Sequence, residues 1–395
     1  MTVLSKLGFV GIAKEVTQGT YVTPAFYIPC TKIDAEDMFV EIRDESYRNN
    51  DTTLQGLYQG PGDSTFSIDV MAYPDAIPYL LRGIIGPDTV TAGTSTTLAA
   101  DSAANATTLS LTASVAANSV IQISDAAGAN LEYVKVGTVT GAGPYSAPIL
   151  VGGGSGGNST LYAHTAAGGS VISQSTHKFA QNPTAAQTSW SLTKYDVATN
   201  ATTTHTRGFP GCKINECAIK IDPKAAMTFS MKYNGWLSAE QPDPTPSFTP
   251  TIPALGWQWT MTNGGASSTR GLTYDLTIKR TADPIHASNG VQQPREVFQG
   301  TLDADGTYKA IFENDTDLNL YLNYTQLPTT AVLTQPVTSG GNVITLTMSK
   351  SGWFKGKVDL SGTYVAADFS LSGIFNSTDG GAMTATVTNF TSTAY

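Results

Sequence analysis

Apolar and polar side chains alternate with period two through residues 64–70, 188–194, 217–221 and 228–233, and again through 272–278, 306–312, 343–348 and 369–375. Only an extended chain puts every second residue on one face, so each run predicts a strand with one side in a core and the other in solvent. Gly, Asn, Asp and Pro punctuate the runs, as turns require. Helical spacing is scarce. Its best instance is residues 74–82, where Asp75 is placed to cap the first turn, Pro78 falls where proline is tolerated and Gly83 is placed to end the helix. The pattern predicts an all-β chain, sandwich or barrel, with one short helix.

A change of character sets one stretch apart. Between 89 and 180 the only charged residues are Asp101, Asp125, Glu132, Lys135 and Lys178, while 107–111, 119–123 and 131–136 again alternate. This predicts a small separate β-sandwich or barrel inserted in the main fold, with the glycine run 152–157 at a mobile loop tip. A second break, 242–256, gathers Pro242, Pro244, Pro246, Pro250 and Pro253 and reads as a linker. The expected division is a first β domain from 1–88 and 181–241, the insertion at 89–180, the linker, and a second β domain at 257–395.

The order of features recurs across that linker. A strand at 32–42, a polar loop, Gly60-Pro61-Gly62, a strand and the helix are matched by a strand at 272–280, a polar loop, residues 300–306, a strand and residues 315–320. Residues 208–235 are matched to 358–375. Such a recurrence is the trace that tandem duplication of one β domain leaves.

Charged residues make up 13% of the 395, about half the roughly 25% usual in soluble domains. With 31 acidic against 22 basic side chains the net charge is −9, so the chain lacks the basic footprint of a protein that binds nucleic acid through phosphates. Cys30, Cys212 and Cys217 form neither a CxxC pair nor an even-numbered disulfide framework, and Cys212 and Cys217 read as small buried side chains in a reduced compartment. The N-terminal residues do not have the pattern of a secretory signal, and no apolar run approaches the roughly 18 residues of a membrane span. No membrane insertion is expected.

Catalytic patterns are missing from the letters. His164, His177, His205 and His286 lie at no zinc spacing, no GxSxG or GxxxxGK occurs, and the literal GxGxxG at 152–157 lacks the acid some 20 residues on that a dinucleotide site uses. Asp303 with Asp305, and Asp315 with Asp317, open no EF-hand loop and read as turn residues. Neither a catalytic residue, a cofactor nor a metal is expected. The densest charge lies at 41–51. There Glu41, Arg43, Asp44, Glu45, Tyr47, Arg48 and Asp51 read as the tip of a long hairpin, either simply solvated or touching a neighbouring subunit through complementary charge.

Residues 11–29, Gly-Ile-Ala-Lys-Glu-Val-Thr-Gln-Gly-Thr-Tyr-Val-Thr-Pro-Ala-Phe-Tyr-Ile-Pro, resemble the N-terminal signature of the tail tube (major tail) proteins of long-tailed, siphovirus-like bacteriophages. Val16 departs from the Thr usual there. The Gly60-Pro61-Gly62 strand, the 81–86 ending and the 207–215 strand, with its Gly-Cys-Lys-Ile-Asn, extend the resemblance over most of 11–235, and the second half follows in pattern more than in letters.

The resemblance implies a non-enzymatic virion subunit, built in the host cytoplasm, whose inner sheets close with those of its neighbours into a ring around a lumen. Rings stack into a tube for genome ejection. It implies a ring of six, or, where the tube domain is duplicated, a ring of three with pseudo-six-fold symmetry; the repeat above favours three. The contacts of the 41–51 tip would then lie between subunits or stacked rings, and the inserted domain would decorate the outside. A tape-measure protein inside, and tail terminator and distal tail proteins at the ends, are the implied partners. DNA would pass without specific binding, because the −9 of each chain, repeated around a ring, repels phosphates. A rival reading is a virion or surface carbohydrate- or receptor-binding β-sandwich, with Trp190, Trp236, Trp257, Trp259 and Trp353 as candidate stacking platforms.

Overall fold

The computed structural model describes residues 7–49, 51–185, 187–196, 205–249 and 251–395. Two sheets of eighteen and six strands account for its strand pairing. In the first half, β1 (Phe9–Lys14), β2 (Phe26–Ile28), β3 (Cys30–Asp44) and β4 (Gly56–Met71) precede α1 (Ile77–Ile84). After β5 (Asp88–Thr91), the six-stranded sheet takes β6 (Ser95–Thr96), β7 (Thr108–Leu111), β8 (Val120–Ser124), β9 (Glu132–Val136), β10 (Tyr145–Val151) and β11 (Ser170–Ser173). The chain returns through β12 (Ser175–Ala180) to β13 (Trp190–Tyr195), β14 (Thr206–Ile221), β15 (Thr228–Gly235) and β16 (Ala239–Gln241). The second half contains β17 (Trp259–Asn263), β18 (Ala266–Ser268), β19 (Gly271–Ile285), β20 (Glu296–Ile311), α2 (Thr316–Leu322), β21 (Leu327–Thr334), β22 (Val343–Asp359), β23 (Ala366–Gly373) and β24 (Thr384–Asn389).

The two halves repeat one another pairing by pairing. β1 pairs with β2 and β13, and β17 with β18 and β21. The ladders β13–β14–β15–β4–β3 and β21–β22–β23–β20–β19 follow one another strand for strand. The short β16 lies on β14 where β24 lies on β22. Register is preserved through the irregularities as well. Bulges at Cys30/Lys32 and Phe39/Glu41 in the first hairpin recur at Gly271/Thr273 and Arg280/Ala282 in the second. Those at Trp190/Leu192 and Ile214/Glu216 recur at Leu327/Thr329 and Trp353/Lys355. A bulge adds an unpaired residue and bends its strand, so matched bulges give the two sheets matched curvature.

The register lays Gly60 on Gly300, as the sequence matching expected, but it lays Gly208 on Thr347 rather than Val358. The matching of 208–235 to 358–375 is therefore displaced, because β22 is the counterpart of the whole of β14 and residues 358–359 are its end.

Both helices differ from the expectation. Asp75 does not cap α1; its carboxylate accepts hydrogen bonds from the hydroxyls of Thr249 and Thr251 in the proline-rich stretch. Gly83 is the penultimate residue of α1, not its cap, which falls at Ile85; it is packed so closely that a Cβ there would stand 2.5 Å from Ile214 Cδ1 and 2.6 Å from Trp190 Nε1. There is also a second helix, α2, in place of the single one expected. The described residues of the proline-rich stretch from Pro242 to Ala254 have no regular structure, yet the stretch is docked: Ala254 is buried and bonds Ala72 and Met227, and Leu255 bridges Ala226. Pro250 lies outside the described residues.

One large core fills the space between the layers, from Val10 and Ile12 through Trp190, Phe229 and Tyr233 to Tyr308, Trp353 and Phe369. The six-stranded sheet has a separate core of Leu98, Leu109, Leu111, Ile121, Ile123, Val134, Val136, Ile149 and Val171. Its strand order is β6-β11-β8-β9-β10-β7, and a Leu98–Leu111 bridge joins the ends into a barrel-like closure. β5 and β12, at its two ends, pair with each other in the larger sheet. The glycine run is tied down rather than free: Gly152 N–H donates to Gly157 O, Gly154 N–H to Ser159 O and Ser155 N–H to Asn105 Oδ1.

Candidate assembly and channel surfaces

Glu15, in the signature segment, organises the first half. Its buried carboxylate accepts from Gly19 N at 3.0 Å, Gly211 N at 2.7 Å and Ser191 Oγ at 2.8 Å, tying the loop after β1 to β13 and β14. Gly19 has φ +82° and lies against the ring of Trp236, which a Cβ would approach to 2.3 Å. The acid and the glycine four residues later are thus one device.

Eight strands run side by side as β3–β4–β15–β14–β19–β20–β23–β22, four from each half, joined where β14 meets β19. One face, with Phe66, Ile68, Met231, Ile219, Leu276, Tyr308 and Phe369, covers the core. Cross-strand neighbours share a face, so the register also specifies the other. It carries Asp34 and Glu36 of β3, Asp63 and Asp69 of β4, Glu216 of β14, Asp275 of β19, Asp303 and Asp305 of β20, Asp359 of β22 and Asp368 of β23. Against these ten carboxylates stand eight lysines: Lys32, Lys213, Lys220, Lys232, Lys279, Lys309, Lys355 and Lys357. The pairs Lys232–Glu216 at 2.9 Å and Lys309–Asp368 at 3.7 Å lie across strands. Burial pushes the Asp275 carboxyl up, Lys220 opposing and Asp222 adding.

Asp303 and Asp305 are therefore strand residues on this charged face, not the turn residues expected of them. Asp315 precedes α2, and Asp317 is buried with its carboxylate 2.9 Å from Arg270. Among the described residues no group of three or more His, Cys, Asp and Glu is arranged to hold a metal ion. Cys212 and Cys217 are buried on β14, and burial pushes both thiols up. Trp190, Trp259 and Trp353 are core residues and Trp236 covers Gly19, which leaves Trp257 exposed. Among the described residues no helix is long and apolar enough to cross a membrane.

The charged segment forms the end of the β3–β4 hairpin. Glu41, Arg43 and Asp44 are on β3, and Glu45, Tyr47, Arg48 and Asp51 follow in the loop. Much of the charge is paired locally: Arg43 lies 3.6 Å from Glu41 and 3.3 Å from Glu45, and Arg48 lies 2.5 Å from Asp44. Hydrogen bonds from Ser46, with Arg48 adding, hold the Asp44 carboxyl below its ordinary value. Tyr47 is fully exposed.

What the sequence did not disclose is how the halves join. Arg280, buried on β19, donates from Nη1 to Ile84 O at 3.4 Å, Ile85 O at 3.5 Å and Gln187 Oε1 at 2.7 Å, placing a cation at the carbonyl end of α1. Gln299 Nε2 donates to Gly83 O at 3.2 Å and Ile214 O at 2.6 Å. Asn234 Nδ2 donates to Ala282 O at 2.6 Å. Beside this joint is a cleft of about 1190 Å³ of mixed charge, lined by Lys14, Arg82, Lys213 and Arg280 and by Glu15, Glu296 and Asp303. Desolvation lowers the pKa of all four cations.

The eight-strand sheet keeps two open margins. Among the described residues β3 pairs only with β4, and the end of β22 from Ser351 to Asp359 pairs only with β23 and, through Ser351, β21. A dry face, a charged face and two unpaired margins define a structural β protein that associates with itself. A profile of the phage tail tube protein family matches residues 5–394, and the chain belongs to that family. A search of curated proteins returns no match.

Proposed function

We propose that the protein arose by tandem duplication of one tube domain and that three copies close, margin to margin, into a ring with pseudo-six-fold symmetry. The observation that carries this reading is the eight-strand sheet made of two equivalent four-strand sheets, with one junction already formed inside the chain. Three such sheets give a barrel of 24 strands. At about 4.8 Å between strands and a tilt near 40°, that barrel is roughly 45–50 Å across between backbones, wide enough for duplex DNA. The face with ten carboxylates and eight lysines would line it. Excess negative charge keeps phosphates off the wall, and the paired lysines are not offered to them.

Rings would stack into the tube, with a tape-measure protein inside during assembly and terminator and distal tail proteins at its ends; family membership supports these partners. The six-stranded module, with its own core, would stand outside as a decoration. No catalytic role is proposed. Electron microscopy of the concentrated protein, averaged over end-on views, tests the reading. Hollow rings with three-fold symmetry and six similar lobes are expected; six full-size subunits per ring, or a protein that never associates, would overturn it.

A further inference from the structure

The chain contains a worked example of the contact its open margins lack. In the internal junction, β14 meets β19 with Glu216 opposite Lys279, Cys217 opposite Ile278 and Lys220 opposite Asp275. The matched bulges convert each position into its counterpart. Glu216 and Lys220 of β14 become Lys355 and Asp359 of β22, while Asp275 and Lys279 of β19 become Asp34 and Met38 of β3.

Resting on the ring reading above, we infer that β22 of one copy pairs antiparallel with β3 of the next in this register, with Lys357 opposite Glu36, and that an apolar lock replaces the polar one used inside the chain. The two margins fit. Lys355 and Lys357 face a margin carrying Asp34 and Glu36; at the single like-charged opposition, Asp359 with Asp34, Lys32 and Glu36 are diagonal to Asp359 and Lys357 is diagonal to Asp34.

The lock follows from the same substitution of positions. Arg280, which is buried inside the junction, corresponds to Phe39, and Ala282 corresponds to Glu41. Phe39 is 39% exposed, and beside it Val40, Ile42, Leu57 and Tyr58 are also exposed, on a hairpin stem that a lone chain leaves in water. Inside the chain Arg280 reaches the carbonyls that end α1, while its neighbours on the same hairpin sit on β14 and β15, Ala282 bonding Asn215 and Asn234 and Gln299 bonding Ile214 O; in the second half the positions of Ile214, Asn215 and Asn234 are Trp353, Phe354 and Ser372. All three line an apolar pocket of about 300 Å³ with Tyr324 and Ile374, in which Phe354 is 57% exposed. Thus one exposed apolar patch and one apolar pocket occupy the two places that the internal junction brings together. Apolar surface of this kind on a soluble chain marks an association site, and the occupant is a second copy because the chain's own other half occupies the equivalent site.

The same operation places the charged loop. Inside the chain the tip of the β19–β20 hairpin rests on the first hairpin, with Gly62 N–H donating to Gln292 O at 2.9 Å and Gln292 Nε2 donating to Gly60 O at 3.2 Å. The loop after Asp44 would rest on Gly300 to Leu302 of the next copy, which line the cleft beside the joint. Its contact is then lateral, within a ring.

Mixed single-cysteine variants test the register. Glu36→Cys and Lys357→Cys chains, each also carrying Cys30→Ser, are mixed, assembled and oxidised, and covalent dimers are read on a non-reducing gel. Directly opposed positions reach disulfide distance and diagonal ones do not. The 36–357 mixture is expected to cross-link at least ten-fold more than Glu36→Cys mixed with Lys355→Cys or Asp359→Cys. In parallel, Phe39→Asp and Phe354→Asp should each raise the concentration needed for assembly more than ten-fold while leaving the thermal melt of the dilute chain unchanged. Rings without the 36–357 link, or with 36–355 or 36–359 dominant, would overturn the register and leave the ring standing. Rings that assemble normally with both Phe variants would overturn the lock. Folded chains that neither cross-link nor form rings would overturn both this inference and the reading beneath it.

Discussion

Glu15 shows how much one side chain can decide. A buried carboxylate accepting three hydrogen bonds is stabilising only as long as all three donors are aimed at it. Glu15→Ala should cost about 3 kcal/mol or more in urea unfolding, since it strands two backbone N–H groups and a hydroxyl, whereas Glu15→Gln, which keeps one acceptor oxygen, should cost less. Equal losses would mean that the charge, not the geometry, carries the effect. The thiols of Cys212 and Cys217 give a pH dependence. Burial raises both in the folded chain, so the folded state holds these protons at a pH where the unfolded chain, with thiols near about 8.5, releases them. Stability is therefore fully present below pH 8 and falls as pH rises above 9, by about 1.4 kcal/mol per pH unit for each thiol. Melting temperature from pH 8 to 11 should decline less steeply in Cys217→Ala, after correction for its lower starting stability; an identical slope would assign the decline to other groups, such as Tyr233, which burial also raises.

At the scale of elements, sequence signals and packing compete. Replacing a helical glycine by alanine usually stabilises by about 1 kcal/mol. At Gly83 the added methyl meets Ile214 and Trp190 within 2.6 Å, so Gly83→Ala should lower the melting temperature, and a rise would show that the α1–β14 contact yields easily. The inserted module makes a second case. Thr91 of β5 and Thr176 of β12 are directly paired, and the module touches the second half through Gln174 Nε2 to Gly340 O at 2.9 Å and the Tyr133–Phe390 ring contact at 5.2 Å. Replacing 92–175 by Asn-Gly should leave a cooperatively melting body, because a two-residue turn closes the β5–β12 pair at Thr91 and Thr176 and the module's core is its own. An insoluble or non-cooperative product would mean that the body depends on the module.

For the whole molecule, in the proposed ring the balance of charge on the outward face of the eight-strand sheet would set how DNA meets the wall. Assembled tubes should not retain linear duplex at about 50 mM salt, whereas Asp303→Lys combined with Asp305→Lys reverses the sign around the ring and should hold it, with release as salt rises. Retention by both proteins, measured by co-sedimentation, would show that the charged face does not govern passage. The same scale explains why the sheet stays an open strip in one chain. Its margins carry lysines and carboxylates alongside exposed aromatic residues, a combination that discourages random edge pairing and admits a partner with the complementary pattern.

Period-two alternation determined the strands, their buried faces and the separateness of the low-charge module, because burial on one face of a strand is a local, repeating demand. Local letters also carried the family signature: Glu15 and Gly19 are four residues apart and act on one loop. The helix boundaries at Asp75 and Gly83 were misread, since Thr249, Thr251, Trp190 and Ile214 reach them from more than a hundred residues away in the chain and outweigh local capping chemistry. The place of Asp303 and Asp305 on a common charged face, the step from Gly208 to Thr347 and the junction at Arg280 were all decided by register. Register is a relation between strands, set where long hairpins, bulges and a shared core meet, and only the tertiary structure holds it.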